Sequence, residues 1–187
     1  MAFPALSSSQ HLLNQVALSN SIRRLWVDNV HWTRALTYSI LFDQGDRDDI
    51  EARLRQNADD FATIFGQFYN QQTTNQLASL INNDLEGTIR LIEAYKSGDD
   101  QAIRRARAYL YANMNELASY LSRINRYWDM ATLHAMLQEI INFVEHEIMF
   151  IHDGQFEESI MQHDELMNQV YKLSDELTYG LLKQFQV

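Results

Sequence analysis

The sequence predicts an all-α protein, an up-and-down helical bundle of about six helices arranged as three helical hairpins. The chain of 187 residues has one proline, Pro4, and six glycines, so nothing after Pro4 forbids long helices. Five polar stretches divide the chain into six segments, and apolar residues recur every three to four positions within each segment. This spacing is the period of one helix face, and the short breaks favour antiparallel neighbours.

The breaks give the expected helix boundaries. They are FDQGDRDD at 42–49, FYNQQTT at 68–74, KSGDD at 96–100, RINRYWD at 123–129 and HDGQ at 152–155. The first helix should run from about Ser8 to Phe42 and the last from about Gln155 to Phe185. Residues typical of N-caps begin the later helices, namely Thr73 or Thr74, Asp99 or Asp100, Asp129 and Asp153. Gly98 and Gly154 should follow helix ends.

Three related stretches, NADDFA at 57–62, NMNELA at 113–118 and QVYKLS at 169–174, lie at intervals of 56 residues. Phe61, Leu117 and Leu173 hold equivalent places in the three copies. Self-similarity at a fixed interval is typical of repeated structural units. We therefore expect three stacked hairpins of about 56 residues, although an ordinary bundle of equal helices would give similar spacings.

Each predicted helix carries one apolar stripe that should face the interior. The stripes of the first three helices are Ile22, Leu25, Asn29, Trp32, Leu36 and Ile40; Ile50, Leu54, Asn57, Phe61, Ile64 and Phe68; and Leu77, Leu80, Asp84, Thr88, Leu91 and Tyr95. Those of the last three are Ile103, Ala106, Leu110, Asn113, Leu117, Leu121 and Ile124; Leu133, Leu137, Ile140, Val144, Ile148 and Ile151; and Phe156, Ile160, His163, Met167, Val170, Leu173 and Leu177.

Four of these stripes have a polar residue at their centre: Asn29, Asn57, Asp84 and Asn113. An unpaired polar group costs about 1–3 kcal/mol when it is buried, so these side chains should find partners. They could form a structural network that fixes helix register, or an interior pocket for a small ligand or ion. The third alternative is that the stripes are assigned wrongly and these side chains are exposed to solvent. The fifth helix has no polar residue in its stripe.

Composition narrows the choice of function. A net charge of −10 repels phosphate backbones, so nucleic acid is not an expected partner. The chain has no cysteine, which excludes disulfides and thiolate metal sites. The start does not read as a signal peptide and no run of about 18 apolar residues occurs, so we expect a cytoplasmic protein without membrane insertion. We also expect a single domain over residues 1–187, with residues 1–7 as a flexible N-terminal segment.

Seven stretches in order resemble the pattern of an uncharacterised family of small bacterial all-helical proteins. They are NVHWTR (29–34), RLRQNADD (53–60), DLEGT (84–88), AYKSGD (94–99), NMNELA (113–118), MLQEII (136–141) and KQFQ (183–186). The resemblance covers about residues 22–186. It implies inward histidines at the positions that hold Asn29, Asp84 and Ile140 here. Because isoleucine cannot ligate a metal, the resemblance implies that any transition-metal site of the family is weakened or lost in this chain.

Three functions remain as hypotheses. The first is a non-enzymatic binding or scaffold bundle that self-associates or binds a protein partner through an apolar face. The second is a bundle with an interior polar pocket for a small ligand or metal ion, formed by Asn29, Asn57, Asp84 and Asn113. The third is an enzyme that uses this pocket, which would require an acid or base with a displaced pKa. No cofactor motif and no catalytic residue is indicated, and no glutamate stands three residues before a histidine as a carboxylate di-metal bundle would require.

Overall fold

The computed structural model of the protein describes residues 8–186, so the predicted flexible segment at residues 1–7 lies outside the described residues. The described part folds into six α-helices without a strand, which confirms the predicted fold class. The helices are α1 (Ser8–Leu41), α2 (Arg47–Phe65), α3 (Gln71–Ser97), α4 (Asp100–Ile124), α5 (Met130–His152) and α6 (Phe156–Phe185).

The six helices form a closed ring around a central triangle. Each helix packs against the next along the chain, and α6 packs against α1 as extensively as α2 does. In addition α1, α3 and α5 contact one another, whereas α2, α4 and α6 do not. The odd-numbered helices are therefore inner helices that run parallel to each other. Each even-numbered helix fills the groove between two of them, which gives the bundle an approximate threefold axis.

The residues at the repeated positions of the sequence occupy equivalent places in this arrangement. Phe61, Leu117 and Leu173 are all buried, in α2, α4 and α6 respectively. Each of these helices follows its inner helix after a short turn, so the repeated unit is an inner helix joined to an outer one. The three predicted hairpins are thus α1–α2, α3–α4 and α5–α6.

Helix ends follow from local capping. Asp99 accepts hydrogen bonds from the N–H groups of Gln101 and Ala102, and Asp129 accepts one from the N–H of Thr132. Gly98 ends α3 with φ 67°, a left-handed conformation that glycine adopts without strain.

Two cap predictions are wrong. Asn70 caps α3 in place of Thr73 or Thr74, because its side chain accepts from the N–H of Thr73. Asp153 belongs to the end of α5, and α6 begins after Gln155.

The interior of the bundle differs from the predicted stripes in two helices. Phe156 and Ile160 are exposed, because the inward row of α6 begins at the fully buried Ser159. The inner helix α5 buries Glu145 and Glu147 in addition to its apolar stripe. Since α5 is surrounded by α1, α3, α4 and α6, its buried face is wider than one stripe. None of the helices described combines the length and apolarity needed to cross a bilayer.

Candidate functional site

Of the four predicted polar residues, Asn57 and Asn113 are buried and Asn29 and Asp84 are half-buried. Asn57 of α2 is fully buried, and its Nδ2 donates to the main-chain oxygen of Leu25 on α1 at 3.0 Å. The Asn29 Nδ2 donates to Asn57 Oδ1 at 3.1 Å. The Asn57 carboxamide therefore joins the outer helix α2 to the inner helix α1 by using its donor and its acceptor.

Asn113 makes the same connection in the next hairpin. It lies on α4, and its Nδ2 donates to the main-chain oxygen of Leu80 on α3 at 3.0 Å. Gln169, which stands 56 residues later, is also buried on α6. The amides at the repeated position are thus interior residues of the three outer helices. Asn57 and Asn113 use their donors on main-chain oxygens of the preceding inner helix.

A small cavity lies between the three inner helices. It lies on the approximate threefold axis, and residues of α4 complete one side. Its lining is mainly apolar and comprises Trp26, Asn29, Val30, Thr33, Ile81, Asp84, Thr88, Met114, Leu117, Leu137, Ile140, Ile141 and Val144. The cavity volume open to the centre of a water molecule is about 20 Å³. This is room for one water-sized species. We call this space the axial cavity.

The axial cavity is polar on two of its three inner helices. Asn29 and Thr33 line it from α1, one turn apart, and Asp84 and Thr88 line it in the same way from α3. The equivalent pair on α5 is Ile140 and Val144, 56 residues beyond Asp84 and Thr88. Apart from Asp84, the lining residues that carry a side-chain oxygen are one asparagine and two threonines.

Asp84 is one of four residues in the described part of the chain that have a buried side-chain atom without a hydrogen-bond partner. Asp84 is half-buried as a residue, but its Oδ1 atom is buried and has no hydrogen-bond partner within residues 8–186. Burial raises the pKa of Asp84 from its ordinary value of 3.8 to about 7, since removal from water disfavours the charged form. No neighbouring charge contributes to this shift. Trp26 lines the same cavity, and its indole N–H also has no partner.

The four residues predicted as one interior cluster therefore separate. Asp84 and Asn29 line the axial cavity, and Asn29 also reaches out to Asn57. Asn57 and Asn113 do not line the cavity, because each is held against a main-chain oxygen of an inner helix. The structure thus separates a pair of interhelical amide links from one cavity that contains an acid.

Two further buried acids were missed by the sequence analysis. Glu147 of α5 forms an ion pair with Arg34 of α1 and a 3.0 Å hydrogen bond with His163 Nδ1 of α6. Arg34 also donates to Ser159 Oγ at 3.2 Å. Glu147 is therefore matched by a permanent cation from one neighbouring helix and by an imidazole from the other.

Glu145 is matched on the opposite side of α5. Arg107 of α4 forms an ion pair with its carboxylate, with Nε placed 2.8 Å from Oε1, and Tyr95 of α3 donates to Oε1 at 3.1 Å. Burial, with the charge of Glu145 next, raises the pKa of Tyr95 to about 12. The sequence EHE at 145–147 contains both acids, but the spacing of single residues does not reveal that an arginine from another helix reaches each of them.

The residues that the structure describes contain no group of three or more histidine, aspartate or glutamate side chains that could hold a metal ion. The family resemblance implies histidines at three positions of this chain. These positions hold Asn29, Asp84 and Ile140, and all three residues line the axial cavity. His163, the histidine of the predicted α6 stripe, lies with Glu147 and outside that cavity.

Comparison of the sequence with models of known protein families finds no match. No curated protein matches the chain, and no solved structure does. The resemblance to an uncharacterised bacterial family thus stays a prediction.

Proposed function

We propose that the protein is a non-enzymatic binding bundle whose binding site is the axial cavity and whose anchor is Asp84. The observation that supports this proposal is the buried Oδ1 atom of Asp84, which has no hydrogen-bond donor among the residues that the structure describes. A buried polar group without a partner costs about 1–3 kcal/mol. A ligand that donates a hydrogen bond or a positive charge to this atom would remove that cost, so the folded chain favours occupancy.

Asp84 has the displaced pKa that a catalytic acid or base would require. However, two features of the cavity argue against catalysis. The cavity has room for one water-sized species, so a substrate and a second reactant do not fit together. None of its other lining residues is an acid, a base or an activated nucleophile. Acid–base chemistry needs a reacting group within hydrogen-bond reach of the catalytic side chain, and the space around Asp84 is too small for an organic substrate together with a second reactant.

A thermal-shift measurement on the purified chain tests this proposal. The panel consists of the smallest available probes of each kind: alkali, ammonium and alkaline-earth chlorides as ions, and methanol and methylamine as the smallest organic probes. At least one probe should raise the Tm of the unchanged protein and leave the Tm of Asp84→Leu where it is. If no probe raises the Tm of the unchanged protein, the axial cavity is not a ligand site.

A second candidate function, a self-associating scaffold, is supported by the start of α1. Between Ser8 and Ile22 the sequence has no Asp, Glu, Lys or Arg, whereas the whole chain carries a net charge of −10. Leu12, Leu13 and Val16 are 60%, 62% and 49% exposed in this stretch. A second copy of so acidic a chain would approach this neutral surface with less charge repulsion than other faces.

A groove beside this surface would receive apolar side chains of the partner copy. It has a volume of about 440 Å³ and is lined by Leu18 of α1, by Ile64 and Phe68 at the end of α2, and by Leu182 of α6, among others. Sedimentation at increasing protein concentration should show a dimer that the pair Leu12→Glu and Val16→Glu abolishes. The matched pair Ile160→Glu and Met161→Glu, at exposed positions of α6, should leave it intact. A monomer at every concentration would contradict this candidate.

As part of the same proposal we assign the protein to the cytoplasm, with which the absence of cysteine is compatible. The two candidate functions do not exclude each other, because the axial cavity and the neutral surface of α1 share no lining residue.

A further inference from the structure

We propose that the axial cavity binds one water-sized monovalent cation, of the class of ammonium, potassium or sodium, as the counter-ion of Asp84. This inference rests on the proposed function and names the class of ligand for it. It starts from the partners of the acidic side chains in the interior of the bundle. Glu145 and Glu147 are buried carboxylates, and each is matched by one arginine. Asp84 is a third acid with a buried carboxyl oxygen, and none of the described lysine, arginine or histidine residues lines its cavity.

The donor atoms agree with a hard cation. Besides Asp84, the lining residues whose side chains contain an oxygen atom are Asn29, Thr33 and Thr88. Carboxylate, amide and hydroxyl oxygens are ligands for hard cations, whereas transition metals favour imidazole and thiolate. The cavity contains neither imidazole nor thiolate.

Charge and size select a single positive charge. Asp84 is the one ionisable side chain that lines the cavity from α1, α3, α4 or α5. One carboxylate neutralises a monovalent ion, whereas a divalent ion would leave a net charge in a mainly apolar space, which is costly. The room for one water-sized species excludes quaternary ammonium ions such as choline.

Trp26 distinguishes the cation from a neutral occupant. Its indole N–H is buried without a partner, and a water molecule or an alcohol could accept from it while donating to Asp84. A cation cannot accept a hydrogen bond. Replacing Trp26 by phenylalanine therefore leaves cation binding intact or tightens it, whereas it weakens a hydroxyl-bearing ligand.

The experiment compares chlorides of ammonium, potassium and sodium with choline chloride at equal ionic strength, at pH 8, on protein first dialysed into choline buffer. At 100 mM, an ion that binds with a Kd of about 1 mM stabilises the folded state roughly 100-fold. This corresponds to a rise in Tm of several degrees, about 5–10 °C for a chain of this size. The arms identify which of the three ions the cavity prefers.

Two variants locate the effect. Asp84→Asn has nearly the same shape and should lose the ion-specific rise in Tm. Asp175→Asn removes the same charge from an exposed ion pair with Arg23 on the surface and should retain it. Lowering the pH to 6 should weaken apparent binding about tenfold, since a proton then competes for the carboxylate.

The outcomes separate this inference from the proposed function. A rise in Tm with methanol or with a divalent cation, absent in Asp84→Asn and not matched by any monovalent cation, overturns the inference and leaves the cavity as a binding site. Loss of binding in Trp26→Phe, if that variant retains the helical content and cooperative melting of the unchanged chain, overturns it as well. No response to any probe overturns both. Direct titration calorimetry on the unchanged protein decides the matter if Asp84→Asn fails to fold.

Discussion

The interior of this bundle contains two regions that differ in the partners they offer to a carboxyl group. On α5, Glu145 and Glu147 lie on different sides of the helix and each meets an arginine and a further donor from neighbouring helices. Between the inner helices, Asp84 of α3 shares its cavity with no charged side chain of the described residues, and one of its oxygens is buried without a partner. Both regions are enclosed by the same six helices.

The difference separates structural acids from a candidate site. A buried ion pair connects two helices in one register, and its parts are costly to separate. An unpaired acid connects nothing and lowers stability unless something outside the chain completes it. The paired acids therefore stabilise the helix packing, whereas the presence of Asp84 is not explained by the packing of the helices.

Removing the arginine from a paired acid should have the largest effect. Arg34→Met leaves the buried carboxylate of Glu147 with His163 as its remaining partner. We expect a loss of about 3–5 kcal/mol in the free energy of unfolding, measured by urea denaturation at pH 8. The double variant Arg34→Met and Glu147→Leu should recover most of this loss. If Arg34→Met alone is neutral, the ion pair does not hold α1 against α5.

Replacing the unpaired acid should have the opposite sign and a smaller size. Asp84→Leu removes a group that lacks a partner and fills part of the axial cavity, so in choline buffer at pH 8 we expect a gain of about 1–3 kcal/mol. The same change at a paired acid, Glu147→Leu, should destabilise because it strands Arg34. A loss of stability in Asp84→Leu would mean that Asp84 belongs to a structural network.

The pH dependence should also distinguish the two regions. Because the pKa of Asp84 is raised to about 7 from 3.8, the folded state binds a proton between these values that the unfolded state lacks. The contribution of Asp84 to stability therefore increases as pH falls from above 7 towards 4. Subtracting the curve of Asp84→Asn isolates this contribution, and its slope should not exceed about 1.4 kcal/mol per pH unit. A flat difference curve would place the carboxyl group in water.

The smallest expected effect concerns the amide link at the edge of the cavity. Asn29→Ala removes the hydrogen bond to Asn57 Oδ1, and Asn57 keeps its own bond to the main chain of Leu25. We expect a loss of about 0.5–1.5 kcal/mol in urea denaturation. A larger loss would show that Asn29 supports the cavity as well as the link.

The fold could be predicted from the sequence because its signals are local. Glycine and aspartate mark the turns, as at Gly98 and Asp99, and the apolar period marks the faces. The interval of 56 residues also identified the hairpins, since Phe61, Leu117 and Leu173 occupy equivalent buried places. What the interval could not give is which helices lie inside, because α1, α3 and α5 are defined by contacts between hairpins.

The site was predictable only in part for the same reason. A polar residue in an apolar stripe identifies an interior amide or acid, and this rule found Asn29, Asn57, Asp84 and Asn113. It cannot tell Asn113, which reaches the main chain of Leu80, from Asp84, which reaches nothing. It also missed Glu147, because the wide buried face of an inner helix extends beyond one stripe.

Closure of the ring has a consequence for how such a protein can vary. An open stack of repeats can lengthen and must shield the apolar face at each end, whereas contact between α1 and α6 leaves no end and limits the count to three units. Every position on the axis is then present three times within one enclosed space. A substitution on one inner helix therefore changes one third of the cavity wall. A second acid at position 140 would double the negative charge in the cavity and change the valence of the ion that balances it.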